Sequence, residues 1–134
     1  MIRNAVTCEI IGEYVSFMTE IVLYHNPRCS KSREVLSFLK DRDVDVVIVE
    51  YLKNLPSRSE YDKILVGLRG EPGDLVRRDA RFVELGIDPA KCETADQVAA
   101  LLVKHPELLA RPVVMRGTES LVARPPERVL ELSD

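Results

Sequence analysis

Cysteine is scarce in this chain, and its placement is informative. The 134 residues include three, Cys8, Cys29 and Cys92. An odd number at these separations matches neither a disulfide framework nor a zinc site. No C-x-x-C occurs, because the residue three after Cys29 is Ser32. That leaves the chain without a dithiol pair of the usual redox spacing. Histidine is limited to His25 and His105, and no clustered acids accompany them, so a metal centre has no support. Glu9, Gly12 and Glu13 interrupt the N-terminal region, which therefore lacks the apolar stretch of a signal peptide. No run is long enough to span a membrane. These absences predict a reducing, cytoplasmic setting with no membrane partner. A net charge of −3 argues against a general nucleic-acid binder. Internal repeats and low-complexity segments are also missing.

What is present suits one compact domain, able to bury about two-thirds of its unfolded surface at this length. Hydrophobic residues at 46% supply a core, and charged residues at 31% a solvated exterior. The basic residues are biased: thirteen of nineteen are Arg, and eight of those lie between Arg69 and Arg128. Arg is suited to bidentate contact with oxyanions. Most of the eight are also expected to sit in ordinary surface ion pairs.

The chain is organised around residues 21–33. An apolar run that reads as a buried strand stops at Tyr24 and is followed by the turn dipeptide Asn26-Pro27. A helical pattern then opens, with Val35, Leu36 and Leu39 on one face. Cys29 thus falls where a strand passes into a helix, and unpaired backbone N–H groups and the helix dipole favour a bound anion or a thiolate. Arg28, Lys31, Arg33 and a protonated His25 would push the thiol further below its free value of about 8.5. Most free cysteines are inert core packing. Cys29 is flanked by Arg28, Ser30 and Lys31, which fits burial poorly and a reactive thiol well.

Residues 1–18 have neither helical nor strand period. They read as an N-terminal extension, either a mis-assigned upstream start, which is favoured, or a short arm packing on a domain that spans 19–134. Within that domain, Val46-Val47-Ile48-Val49 reads as a second strand buried on both faces and completes a βαβ unit. Ser57 to Glu60 forms a capping box for a helix with Tyr61, Ile64, Leu65 and Leu68 inward, ended by Gly70, Pro72 and Gly73. Short helical pieces then carry Arg77, Arg78 and Arg81, with Gly86 as a stop and a new turn at Asp88-Pro89. Thr94 to Gln97 caps a further helix with Val98, Leu101 and Leu102 inward. Strands follow Arg111-Pro112 and again at Leu121-Val122-Ala123. A closing helix begins at Pro125 or Pro126 and packs through Val129, Leu130 and Leu132. The predicted fold class is α/β and thioredoxin-like: a four-stranded mixed sheet with a helical insertion between its second and third strands. A cis Pro112 would suit that layout, although trans is the commoner state.

Four segments together resemble a known family, the glutaredoxin-dependent arsenate reductases, and within it the less studied chromosomal branch. Tyr24-His25-Asn26-Pro27-Arg28-Cys29-Ser30-Lys31-Ser32-Arg33 is similar to the family's active-site loop. Leu75-Val76-Arg77-Arg78, Arg111-Pro112-Val113-Val114 and Arg124-Pro125-Pro126-Glu127 are similar to its three further signatures, in the same order. The resemblance covers Thr19 to Leu132. It implies that Cys29 is the nucleophile, that His25 lowers the thiol pKa, and that Arg77, Arg111 and Arg124 bind the oxyanion. Arg77 and Arg78 are adjacent, and register favours Arg77. The implied reaction is reduction of arsenate to arsenite through a Cys29 adduct, with glutathione as co-substrate, a glutaredoxin as partner and no tightly bound cofactor, in a monomer.

Rival readings stay open at this point. A phosphatase-type C-x5-R loop would need Arg where Val35 stands. A redox-sensing regulator of the same fold would use C-x-x-C, and Ser32 occupies its second position. A glutathione-linked thiol oxidoreductase without arsenate activity is separated poorly by sequence. Bland roles are expected elsewhere: Cys92 as a surface or half-buried thiol, Cys8 without a role, His105 as a helix-end residue favoured by the dipole. Arg33 reads as a surface ion-pair partner.

Overall fold

The computed structural model describes residues 2–4, 20–42 and 44–132. Its elements are β1 (Ile2–Asn4), β2 (Ile21–His25), α1 (Ser30–Asp41), β3 (Val46–Glu50), α2 (Arg58–Val66), α3 (Ala80–Glu84), α4 (Ala95–Lys104), β4 (Val113–Arg116) and β5 (Glu119–Val122). Short 3-10 turns cover Pro72–Leu75, Pro89–Lys91, Pro106–Leu108 and Pro126–Glu131. The sheet runs in the order β1-β3-β2-β4-β5. β2 and β3 are parallel, with Leu23 beside Ile48. β4 is antiparallel to β2, and β5 to β4. This is the expected thioredoxin-like mixed sheet of β2 to β5, with the helical insertion between β3 and β4. The addition is β1, which lies parallel to β3 at the sheet edge, with Ile2 opposite Val46. The rest of the 1–18 extension, including Cys8, lies outside the described residues.

Alternation along each strand splits the core into two layers. Val22 and Tyr24 face one cluster, built with Tyr61, Ile64, Leu75, Val98 and Leu102 of the insertion. Ile21 and Leu23 face the other, with Val35, Leu39, Val129 and Leu132. Each fully buried Leu, Ile or Val contributes about 1.5–3 kcal/mol, so a sheet covered on both faces holds its β2 end firmly. Both expected capping boxes form. Ser57 Oγ accepts from the Glu60 N–H, and Glu60 Oε1 from the Ser57 N–H. Thr94 and Gln97 do the same.

Three expectations need correction. α2 ends at Val66 with Gly67 as its cap, before Gly70 and Pro72. The chain crosses the β4–β5 turn there, and a Cβ on Gly67 would overlap the Thr118 carbonyl oxygen. The closing segment Pro126–Glu131 is a 3-10 helix, so Val129 and Leu132, three apart, share the inner face. Leu130 is consequently 62% exposed. Cys92 is fully buried despite its charged neighbours, because the turn that it caps directs its side chain into the insertion cluster. Among the described residues, no helix is long and apolar enough to cross a membrane.

Candidate active site

The end of β2 and the start of α1 form one hydrogen-bonded loop. The Cys29 amide donates to the Asn26 carbonyl at 2.9 Å, and the Arg28 amide to Asn26 Oδ1 at 3.0 Å. Arg33 reaches back from the first turn to the Pro27 carbonyl at 2.9 Å, a loop brace in place of the expected surface ion pair. Cys29 is the N-cap of α1, extended at φ −97° and ψ 122°, and only 9% exposed. Its sulfur makes no close cap bond of the kind a Ser or Asp oxygen makes.

The thiol is nevertheless tuned. Burial pushes it up, but the Ser32 amide, the Arg111 guanidinium and the Lys31 amide outweigh this and hold it below the ordinary thiol range. The helix start acts as the sequence predicts. The charge comes from Arg111, eighty-odd positions along the chain by sequence number, and not from the side chains of Arg28, Lys31 or Arg33. The Lys31 ammonium pairs weakly with Glu34 at 3.9 Å instead.

His25 departs from its expected state. It is buried, and a 2.7 Å hydrogen bond joins its Nδ1 to Ser32 Oγ. Ser32 Oγ also accepts from the Asn26 amide at 3.0 Å. Burial lowers the imidazole pKa, Glu50 opposes that and Arg33 adds to it, so His25 is neutral near pH 7. A neutral ring cannot stabilise the thiolate by charge. Its contact is with the Ser32 residue whose amide does, which makes it a brace for the helix start.

The arginines divide. Arg111 lies beside Cys29, and its Nε and Nη1 are buried without a hydrogen-bond partner. Arg124 donates from Nε to the Arg111 carbonyl at 2.7 Å. These two strand-flanking residues are therefore adjoining, and both precede cis prolines, Pro112 and Pro125. Arg77 is engaged elsewhere: its Nη2 pairs with Asp79 at 2.6 Å and its Nη1 donates to the Glu107 carbonyl at 3.4 Å. Arg78 shares a cleft with Arg124.

Sequence reasoning passed over Tyr51. The register sets Glu50 opposite His25, which carries the residue just after β3, Tyr51, to the level of Asn26. Tyr51 is 1% exposed; burial raises its phenol pKa, while Arg111 and a hydrogen bond with Asn26 lower it and Cys29 raises it. The signal was available only through strand pairing. Ser32, noted as the absence of a second cysteine, proves to be a buried structural hub. Among the described residues no His, Cys, Asp and Glu side chains cluster as metal ligands.

With an N-cap thiol, an adjoining half-buried Arg and a second Arg on its carbonyl in place, the likeness to known proteins has a structural footing. An arsenate reductase of Neisseria meningitidis serogroup A is 38% identical over 114 residues, 84% of this chain and 97% of that protein. An Escherichia coli arsenate reductase is 33% identical over 116 residues, 86% of this chain and 82% of that one. The solved arsenate reductase from Vibrio cholerae superposes with a TM-score of 0.75 at 33% identity, covering 86% of this chain and 98% of the other. Residues 24–132, from Tyr24 near the end of β2 to the closing turn, match the ArsC family, and the chain belongs to it.

Proposed function

We propose that this protein reduces arsenate to arsenite, with Cys29 as nucleophile and Arg111 and Arg124 as its anion-binding pair. The observation that carries the reading is the pair of buried Arg111 donors without a protein acceptor, next to a thiol held below its ordinary pKa. Buried N–H donors left open are costly unless an acceptor completes them, and on a guanidinium an anion does so best. Arsenate is an anion, and a thiolate alone would repel it. A guanidinium offsets that repulsion and holds the arsenic near the sulfur. The likeness to relatives named arsenate reductase supports arsenate as that anion.

The Cys29 thiolate attacks arsenic, an S–As bond forms, and one arsenic oxygen leaves as water while arsenic stays pentavalent. With Ser32 at the resolving position, the next thiol comes from outside. Glutathione bonds to arsenic with loss of a second water. A glutaredoxin thiol then attacks the glutathione sulfur. The As–S bond to glutathione breaks, a mixed disulfide forms, and the electron pair remains on arsenic, now trivalent. Water releases arsenite and returns a proton to Cys29. Arsenate and two thiols thus give arsenite, one disulfide and one water. The protein acts as a cytoplasmic monomer in this scheme. Arg77 joins the clamp only by leaving Asp79, with which it is paired at 2.6 Å.

The test is arsenate-dependent NADPH oxidation coupled through glutathione, a glutaredoxin and glutathione reductase. Cys29→Ser should abolish it, and Cys92→Ala should retain most of it. Oxidation that is independent of arsenate, with Cys29 still exchanging with glutathione, would replace the reading with a thiol oxidoreductase.

A further inference from the structure

The adjacent Arg77 and Arg78 diverge, and Arg78 takes up a position that the oxyanion clamp does not use. It lines a cleft of about 340 Å³ together with Arg69, Arg124, Arg128, Val76 and Val122. That volume lies at the lower end of the roughly 300–1,000 Å³ typical of small-molecule sites. Two of the four arginines are neutralised: Arg69 by Glu119 at 3.4 Å and Arg128 by Glu131 at 3.1 Å. Asp74 also lines the cleft, with Oδ2 accepting from the Glu71 amide at 2.9 Å. Arg78 and Arg124 meet no carboxylate among the described residues. Each is held by a backbone carbonyl, Arg78 Nη1 by Gly73 at 3.2 Å and Arg124 Nε by Arg111 at 2.7 Å, with further guanidinium N–H donors to spare. Gly73 makes room for this, since a Cβ there would stand 2.8 Å from the Cys92 carbonyl oxygen and 3.2 Å from Arg78 Nη2.

Arg124 links the cleft to the reacting thiol: it lines the cleft and donates to the carbonyl of Arg111, whose side chain lies beside Cys29. We propose that this cleft seats a carboxylate of the second thiol substrate, a small carboxylate-bearing peptide thiol of the glutathione type. Arg78 receives the carboxylate, the apolar lining at Val76 and Val122 covers the peptide body, and the sulfur points across Arg111 to the arsenic on Cys29. The proposal rests on the arsenate-reductase reading. It answers a need of that reading, because an anionic adduct repels an anionic thiol unless positive charge is placed between them.

The experiment uses the intact protein, Arg78→Ala, Arg78→Gln as a second variant should the first fold poorly, and Arg58→Ala as a surface control. Unreactive S-methylglutathione is titrated into each, followed by the Val76 and Val122 amide resonances, and the coupled assay gives KM for glutathione and for arsenate. Loss of one charge-assisted contact should raise the S-methylglutathione Kd and the glutathione KM by about tenfold. The arsenate KM should be unchanged, and 2-mercaptoethanol, which has no carboxylate, should serve wild type and variant equally. Unchanged Kd and glutathione KM in the Arg78 variants would overturn the site, as would a rise confined to the arsenate KM. Absence of arsenate reduction by the wild type would instead overturn the underlying activity, and the titration would still read the cleft.

Discussion

At the scale of single residues, the Cys29 thiol depends on a charge that arrives from another part of the chain. Alkylation of Cys29 by iodoacetamide should titrate with a midpoint below the ordinary thiol value, while buried Cys92, whose pKa is raised chiefly by burial, should resist. Arg111→Ala should move the Cys29 midpoint upward and weaken arsenate or sulfate binding by about ten- to a hundredfold. Arg111→Lys should recover part of both, because ammonium keeps the charge and loses the fork. Arg58→Ala, an exposed ion-pair partner of Asp62, should change neither. An unchanged midpoint in Arg111→Ala would remove the guanidinium from the mechanism. His25 offers a test of opposite character. Its folded pKa is lowered, so the unfolded chain binds its proton more readily. The stability it contributes is full above the unfolded value of about 6.5 and is lost as pH falls through the folded one. Urea midpoints of wild type and His25→Gln should therefore converge between pH 7.5 and pH 5. A gap that widened on acidification would mean that the histidine is charged in the fold.

Among the elements, the insertion is fixed by its helix ends. The Ser57–Glu60 box closes the start of α2, and Ser57→Ala should cost about 1 kcal/mol, read as a lower urea midpoint without a change in slope. Gly67, at the other end, is held to glycine by close approach. Its carbonyl accepts from the Ser120 amide at 2.9 Å, and the Arg69 amide donates to the Ser120 carbonyl at 2.9 Å. Gly67→Ala must push the β4–β5 turn away, at a cost of about 1–3 kcal/mol. Equal stability of that variant would show that the turn yields freely. Sequence placed both capping boxes correctly because the whole motif lies within four residues. It placed the end of α2 too late because the neighbour that demands Gly67 is Thr118, more than fifty positions away by number. It took Leu130 as inward because an α-helical period was assumed where a 3-10 period holds.

Over the whole molecule, both core clusters are, among the described residues, drawn from residues 21–132. β1 adds three residues at the edge, paired to β3 alone. A chain beginning at Met18 should therefore melt cooperatively near the full-length temperature, as followed by circular dichroism. Loss of cooperativity would show that the β1 pairing is needed to protect the β3 edge.

Local chemistry was enough for the order of elements, the thioredoxin-like class and the place of Cys29 at a helix start, and the resemblance to a known family singled out Arg111 and Arg124. Each rests on short-range signals: hydrophobic period, caps, turn dipeptides and four motifs in register. Only the tertiary structure decided the state of His25, the inward turn of Cys92, the place of Tyr51 and the divergence of Arg77 and Arg78. Those outcomes depend on burial and on partners distant in the chain, such as the β3 register for Tyr51 and Glu107 for Arg77. A charge is printed in the sequence, but what it meets, and how dry that place is, is settled only when the chain closes around it.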